Sequence, residues 1–160
     1  MVDILSDQQR EAEKVCHQGI DLVDEKDLAG AHKVFLKAFE MDPQSAKVQS
    51  WLGYTTALVE RKVQKALEYC RKAIESNIPD AIFYRNIGVV YLQQNNKRGA
   101  IGAFAKGLQI DKGNRAILNE WKSLGFRRKP FFAFLDRSHP VNKNLGKFTW
   151  YLKYRGKKPT

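Results

Sequence analysis

The chain has 160 residues and 18.4 kDa, with 43% hydrophobic and 28% charged residues, the proportions of one soluble domain with room for a tail. No apolar run reaches the roughly 18 residues of a membrane-spanning helix, the acidic start Met1–Asp7 argues against a secretory signal, and two distant cysteines, Cys16 and Cys70, predict a reduced, cytoplasmic protein. The net charge of +11 is graded: residues 1–45 carry 5 Lys/Arg against 10 Asp/Glu, residues 46–114 carry 11 against 5, and residues 115–160 carry 12 against 2. Such a gradient suits either a basic end that meets an anionic partner or a merely solvated surface.

In chain order, Ser6-Asp7-Gln8-Gln9 is a capping box and predicts a helix starting near Asp7. Val15, Leu22, Leu28, Ala31, Phe35 and Ala38 recur at helical intervals. Leu28-Ala29-Gly30 falls near the start of a second helix, and Asp42-Pro43 breaks the chain after it. The pattern then returns. In the 34-residue windows 12–45 and 81–114, Gly19 matches Gly88 at the eighth place and Leu22 matches Tyr91 at the eleventh. Ala31 matches Ala100, Phe35 matches Phe104, Ala38 matches Gly107 and Asp42 matches Asp111. The middle window, 46–80, carries Leu52-Gly53 at the seventh and eighth places, and fits Ala66, Cys70 and Ala73 after one extra residue between Val59 and Lys65. That residue is expected in a turn, where it disturbs neither helix. Pro79-Asp80 closes the window.

These residues resemble the tetratricopeptide repeat family, whose sparse pattern of a large residue, Leu-Gly, a Tyr-like residue, Ala, Phe, Ala and Pro they follow over residues 12–114. The resemblance implies an all-α, right-handed solenoid of three helical hairpins. One hairpin cannot bury its apolar face alone, whereas three stacked hairpins share a core. Residues 115–125 supply a capping helix. Ile117, Leu118, Trp121 and Leu124 share one face, Arg115, Asn119, Glu120, Lys122 and Ser123 the other, and Gly125 is the expected stop. Trp121 is read as packing on the third repeat. The expected domains are therefore 1–125 and a separate segment, 126–160.

That segment holds ten Lys/Arg, one acid (Asp136) and eight aromatics. A helix over Ser138–Tyr154 would align Val141, Leu145, Phe148 and Leu152, although Gly146 weakens it. Arg127, Arg128, Lys129, Lys147, Trp150, Tyr151, Lys153 and Tyr154 are its candidate contacts. Interleaved rings and cations suit single-stranded nucleic acid or an anionic membrane surface. They equally suit docking on the repeats, on a partner, or in the groove of the same or a neighbouring chain, which would be self-association.

Catalytic chemistry finds no support in the sequence. Cys16 and His17 are adjacent, so on one helix their side chains diverge. Gly146-Lys147 lacks the rest of a phosphate-binding loop. No Cys or His cluster has zinc spacing. The expectation is a non-enzymatic protein without cofactor or metal.

In the resembled family the first helix of each repeat lines a concave groove that holds a peptide or a helix. Placed on that pattern, the groove candidates are Ile20, Val23, Lys47, Tyr54, Leu58, Arg85, Val89 and Leu92. Glu13, Cys16, Asp24, Ser50, Ala57, Ile82 and Gln93 stand at the remaining groove places. Family members that grip the carboxylate of heat-shock chaperones use Lys and Asn at places five and nine of the first repeat. Cys16 and Ile20 stand there in this chain, which argues against that ligand. The resemblance implies a protein-interaction adaptor that binds an amphipathic helix or an apolar peptide bearing one or two acids. Trp51 is assigned to neither core nor groove.

Overall fold

The structure, a computed structural model, describes residues 6–124. Gly125, the helix expected over Ser138–Tyr154 and the contacts expected from Arg127, Arg128, Lys129, Lys147, Trp150, Tyr151, Lys153 and Tyr154 lie outside the described residues. The described chain is all-α: α1 Asp7–Asp24, α2 Leu28–Met41, α3 Ala46–Thr55, α4 Val63–Glu75, α5 Ala81–Gln93, α6 Lys97–Ile110 and α7 Arg115–Ser123. None of these helices is long and apolar enough to cross a membrane.

Local sequence sets most helix starts. Ser6 and Gln9 close the capping box in front of α1: the Gln9 N–H donates to Ser6 Oγ at 3.2 Å and the Ser6 N–H to Gln9 Oε1 at 2.9 Å. Asp27, Ser45, Asp80, Asn96 and Asn114 cap α2, α3, α5, α6 and α7 by accepting from backbone N–H groups of the first turn. Each such bond satisfies one of the donors a helix leaves open at its start. Only α4 begins without one, behind Lys62.

Pairs α1/α2, α3/α4 and α5/α6 form three hairpins. Their first helices, α1, α3 and α5, contact one another in order, while α2 packs on α3 and α4 on α5. The final helix, α7, packs on α5 and α6. Phe35, Leu52, Phe104 and Ile117 are fully buried between these layers. Close approach within a hairpin depends on the glycine at place eight. A Cβ on Gly19 would stand 2.6 Å from Phe35 Cε1, and one on Gly53 would stand 2.8 Å from the carbonyl oxygen of Ala66. In the second hairpin Cys70 replaces the phenylalanine. The indole of Trp51 supplies bulk nearby instead, stacked on Phe35 with ring centroids 5.9 Å apart and planes 8° off parallel.

The extra residue of the second repeat corrects the expectation for it. It does not sit in the turn. It is taken up inside the first helix of the hairpin, whose last residues, Thr56–Glu60, widen into a π-helical turn. The reason lies in the turns. Lys26, Arg61 and Asn95 occupy equivalent positions with φ of 68°, 56° and 58°, so all three hairpins use one turn geometry and the surplus must enter the helix before it. His32, buried in α2, clasps the widened turn. Its Nδ1 lies 3.0 Å from Thr55 Oγ1 and its Nε2 lies 3.2 Å from Glu60 Oε1. The carboxylate of Glu60 accepts, so Nε2 donates, while the Thr55 hydroxyl donates to the carbonyl oxygens of Trp51 and Leu52 at 3.2 and 3.3 Å. The other oxygen of Glu60 pairs with Lys62 at 3.1 Å.

Candidate functional site

A cavity of about 500 Å³ opens on the face made by the first helices. From α1 and its following turn come Ile20, Val23, Asp24 and Lys26; from α3, Lys47, Trp51 and Tyr54; from α5 and its cap, Asp80, Ile82 and Arg85. The capping helix contributes Ala116. Helical spacing explains the first helices' share: Ile20 and Val23, Lys47 and Trp51, and Ile82 and Arg85 stand three or four residues apart, so each pair shares one helix face.

Of the eight groove candidates, Ile20, Val23, Lys47, Tyr54 and Arg85 line this cavity. Leu58, Val89 and Leu92 do not. Val89 is buried in the main core, which also receives Trp121 and Leu124 from the capping helix and its end. Leu58 and Leu92 are partly buried against that same core. Leu58 lies within the π turn, which changes its angular position relative to a regular α-helix. Of the other groove places, Asp24 and Ile82 line the cavity, whereas Cys16 and Ser50 are fully buried. Burial pushes the thiol of Cys16 up to about 11, with Lys47 opposing the shift, and pushes that of Cys70 up to about 12. Both thiols are free and stay protonated at neutral pH.

Trp51 belongs to both core and cavity. One face stacks on Phe35, its ring meets the edge of Tyr54 at 5.7 Å, and the residue remains 8% exposed on the cavity wall. Arg85 is the hub of the polar wall. Its guanidinium lies 4.6 Å from the centre of the Tyr54 ring. Nη2 donates to Glu120 Oε1 at 3.0 Å and Nη1 to Asn86 Oδ1 at 3.3 Å, while the buried Nε finds no partner among the described residues. Asn86 in turn donates to Ser50 Oγ at 3.1 Å. The wall is thus tied from α3 through α5 to α7. At the opposite side Lys47 pairs with Glu13 at 3.6 Å, in a more exposed setting. The cavity therefore combines apolar residues, Ile20, Val23, Trp51, Tyr54, Ile82 and Ala116, with charges of both signs, Lys26, Lys47 and Arg85 and the carboxylates of Asp24 and Asp80.

Sequence reasoning did not assign Lys26, Asp80 or Ala116 to the site. The first two lie in a turn and a cap, where no periodicity operates. Ala116 and Glu120 are spaced i, i+4 on α7 and share a face distinct from that centred on Ile117, a signal that a purely protective reading of α7 overlooks. No group of three or more potential metal ligands occurs among the described residues.

The tetratricopeptide repeat profile matches residues 17–77 and 55–115. A TPR repeat-containing protein of Methanocaldococcus jannaschii, MJ1428, is 26% identical over 98 residues, and the aligned part spans 61% of this chain but 17% of that relative. Among solved structures, the TPR domain of Arabidopsis OM64 superposes with a TM-score of 0.59 at 17% identity, covering 73% of this chain and 96% of that one. The first TPR domain of Spaghetti (RPAP3), bound to an HSP90 peptide, gives 0.57 at 16% identity, covering 72% and 91%. At such identities the likeness to solved structures is one of fold. With the profile covering well over half of its length, the chain belongs to the tetratricopeptide repeat family.

Proposed function

We propose that the chain is a non-enzymatic adaptor that holds a peptide or amphipathic helix of a partner protein on its concave face. The observation that carries this reading is the cavity, whose apolar residues stand beside Lys26, Lys47 and Arg85 and, among acids, Asp24 and Asp80. The HSP90 peptide bound to the Spaghetti domain supports a peptide ligand for this type of scaffold. The occupant proposed here differs, because Cys16 and Ile20 stand where chaperone-binding relatives carry Lys and Asn. An apolar anchor would enter between Val23, Tyr54 and Ile82, and a neighbouring carboxylate would face Lys47 or Arg85.

The test is selection of a displayed peptide library on the full chain. The expected consensus is an aliphatic or aromatic anchor beside an acid. Val23→Glu combined with Ile82→Glu should weaken the selected peptides at least roughly tenfold, since a buried carboxylate would replace apolar wall. Ile110→Glu, on the exposed end of α6, should leave binding unchanged. Peptides that bind the cavity double variant as tightly as the parent would refute the reading, provided circular dichroism shows both folded.

A further inference from the structure

The three turns that join the helices of each hairpin carry a second pattern. Because α1, α3 and α5 run in one direction through the stack, these turns emerge along one edge. The first turn is acidic, with Asp24, Glu25 and Asp27 around Lys26. The second holds Glu60, Arg61 and Lys62, and the third leads through uncharged Gln94, Asn95 and Asn96 into Lys97 and Arg98. Charge along the edge thus runs from negative to positive.

Local stability does not account for the positive end. Lys97 and Arg98 open α6, where the helix dipole is itself positive and cations are unfavourable. Lys62 stands at the start of α4 and makes no capping bond, whereas Asp27 at the equivalent place accepts from the Gly30 N–H at 2.9 Å. Arg61 holds a left-handed backbone, φ 56°, that a bulky residue adopts at a cost. All four cations are exposed, and only Lys62 has an ion pair among the described residues. Helix and turn energetics would each favour other residues here.

We infer that this edge is a second docking surface, for a segment of a partner protein that is acidic at one end and neutral or basic at the other. The acids would lie along Arg61, Lys62, Lys97 and Arg98, and the other end along the acidic first turn. Charge complementarity along a gradient fixes the direction in which such a segment lies. A nucleic acid fits less well, because a uniform polyanion would meet repulsion at the first turn and the turn residues offer no ring on which bases could stack. Lys26 belongs both to this edge and to the cavity wall, so one partner chain can leave the cavity and continue along the turns. The inference stands on the edge residues and does not require the cavity to be occupied.

The experiment titrates a peptide of glutamates followed by a Gly/Ser stretch into the isotope-labelled full chain. Amide shifts locate the contact residue by residue, which separates this edge from the basic residues beyond 125. Shifts are expected at residues 61–65 and 97–99. Lys97→Glu with Arg98→Glu should abolish them and weaken this local contact about tenfold or more. The same pair should raise the thermal midpoint by a few degrees, because acids suit a helix start. A double Gln variant provides a second, milder comparison if the charge reversal fails to fold. Shifts confined to other residues, or insensitive to both variant pairs, would overturn the inference. Stronger local binding of a thymidine oligonucleotide of equal charge would overturn the choice of an acidic protein segment.

Discussion

Two glycines on different helices give one substitution opposite signs. Gly102, inside α6, is exposed, and a Cβ there meets nothing within 4 Å. Gly102→Ala should therefore gain the helix-propensity difference, about 1 kcal/mol. Gly53, inside α3, has the same propensity to gain, but its Cβ would stand 2.8 Å from the Ala66 carbonyl oxygen and 2.5 Å from Cys70 Sγ. The carbonyl belongs to the backbone of α4 and cannot rotate away, so the hairpin must open. Overpacking of this kind costs about 1–3 kcal/mol or more, which outweighs the propensity gain over most of that range. With an unfolding entropy of about 2.1 cal/mol/K per residue over roughly 120 residues, 1 kcal/mol corresponds to about 4 °C. Gly102→Ala should raise the thermal midpoint by about 4 °C, and Gly53→Ala should lower it by several degrees. Calorimetry of both variants in the full chain decides the matter. A midpoint that rises equally in both would refute the argument that place-eight glycines set the distance between paired helices.

Asn86→Ala should destabilise by about 1–3 kcal/mol, because the fully buried amide partners both Ser50 and Arg85; urea unfolding would show it as a lower midpoint at unchanged slope. The contacts with Lys62 and then His32 hold the Glu60 carboxyl below its ordinary value. Its contribution to stability is complete above the usual glutamate range and is lost as pH falls through the lowered value, so Glu60→Gln should flatten the acid limb of a midpoint-against-pH curve. Arg85→Met should remove the link from Tyr54 to Glu120, and amide exchange in α7 should accelerate relative to α2, with a uniform change throughout the chain counting against the link.

Chain-local signals carried far in this protein. The capping box at Ser6 marks the start of α1, the breaks at Asp42-Pro43 and Pro79-Asp80 fall between hairpins, and Gly19, Gly53 and Gly88 recur in the first helix of each. These features act within a few residues of themselves, so order along the chain is enough to read them. Five of the eight groove candidates, placed by the resemblance to the family's pattern, also line the cavity.

Tertiary structure decided the rest. Leu58 does not line the cavity; it packs against the core from the π-helical turn that takes up the surplus residue of the second repeat. Val89 is buried rather than on the cavity wall, within a core completed by residues of the capping helix. Lys26, Asp80 and Ala116 reach the cavity from a turn, a cap and the last described helix. Repeat spacing told which residues share a helix face. Which of those faces stays open depended on what packs across it, and that neighbour is fixed by contacts between helices distant in the chain.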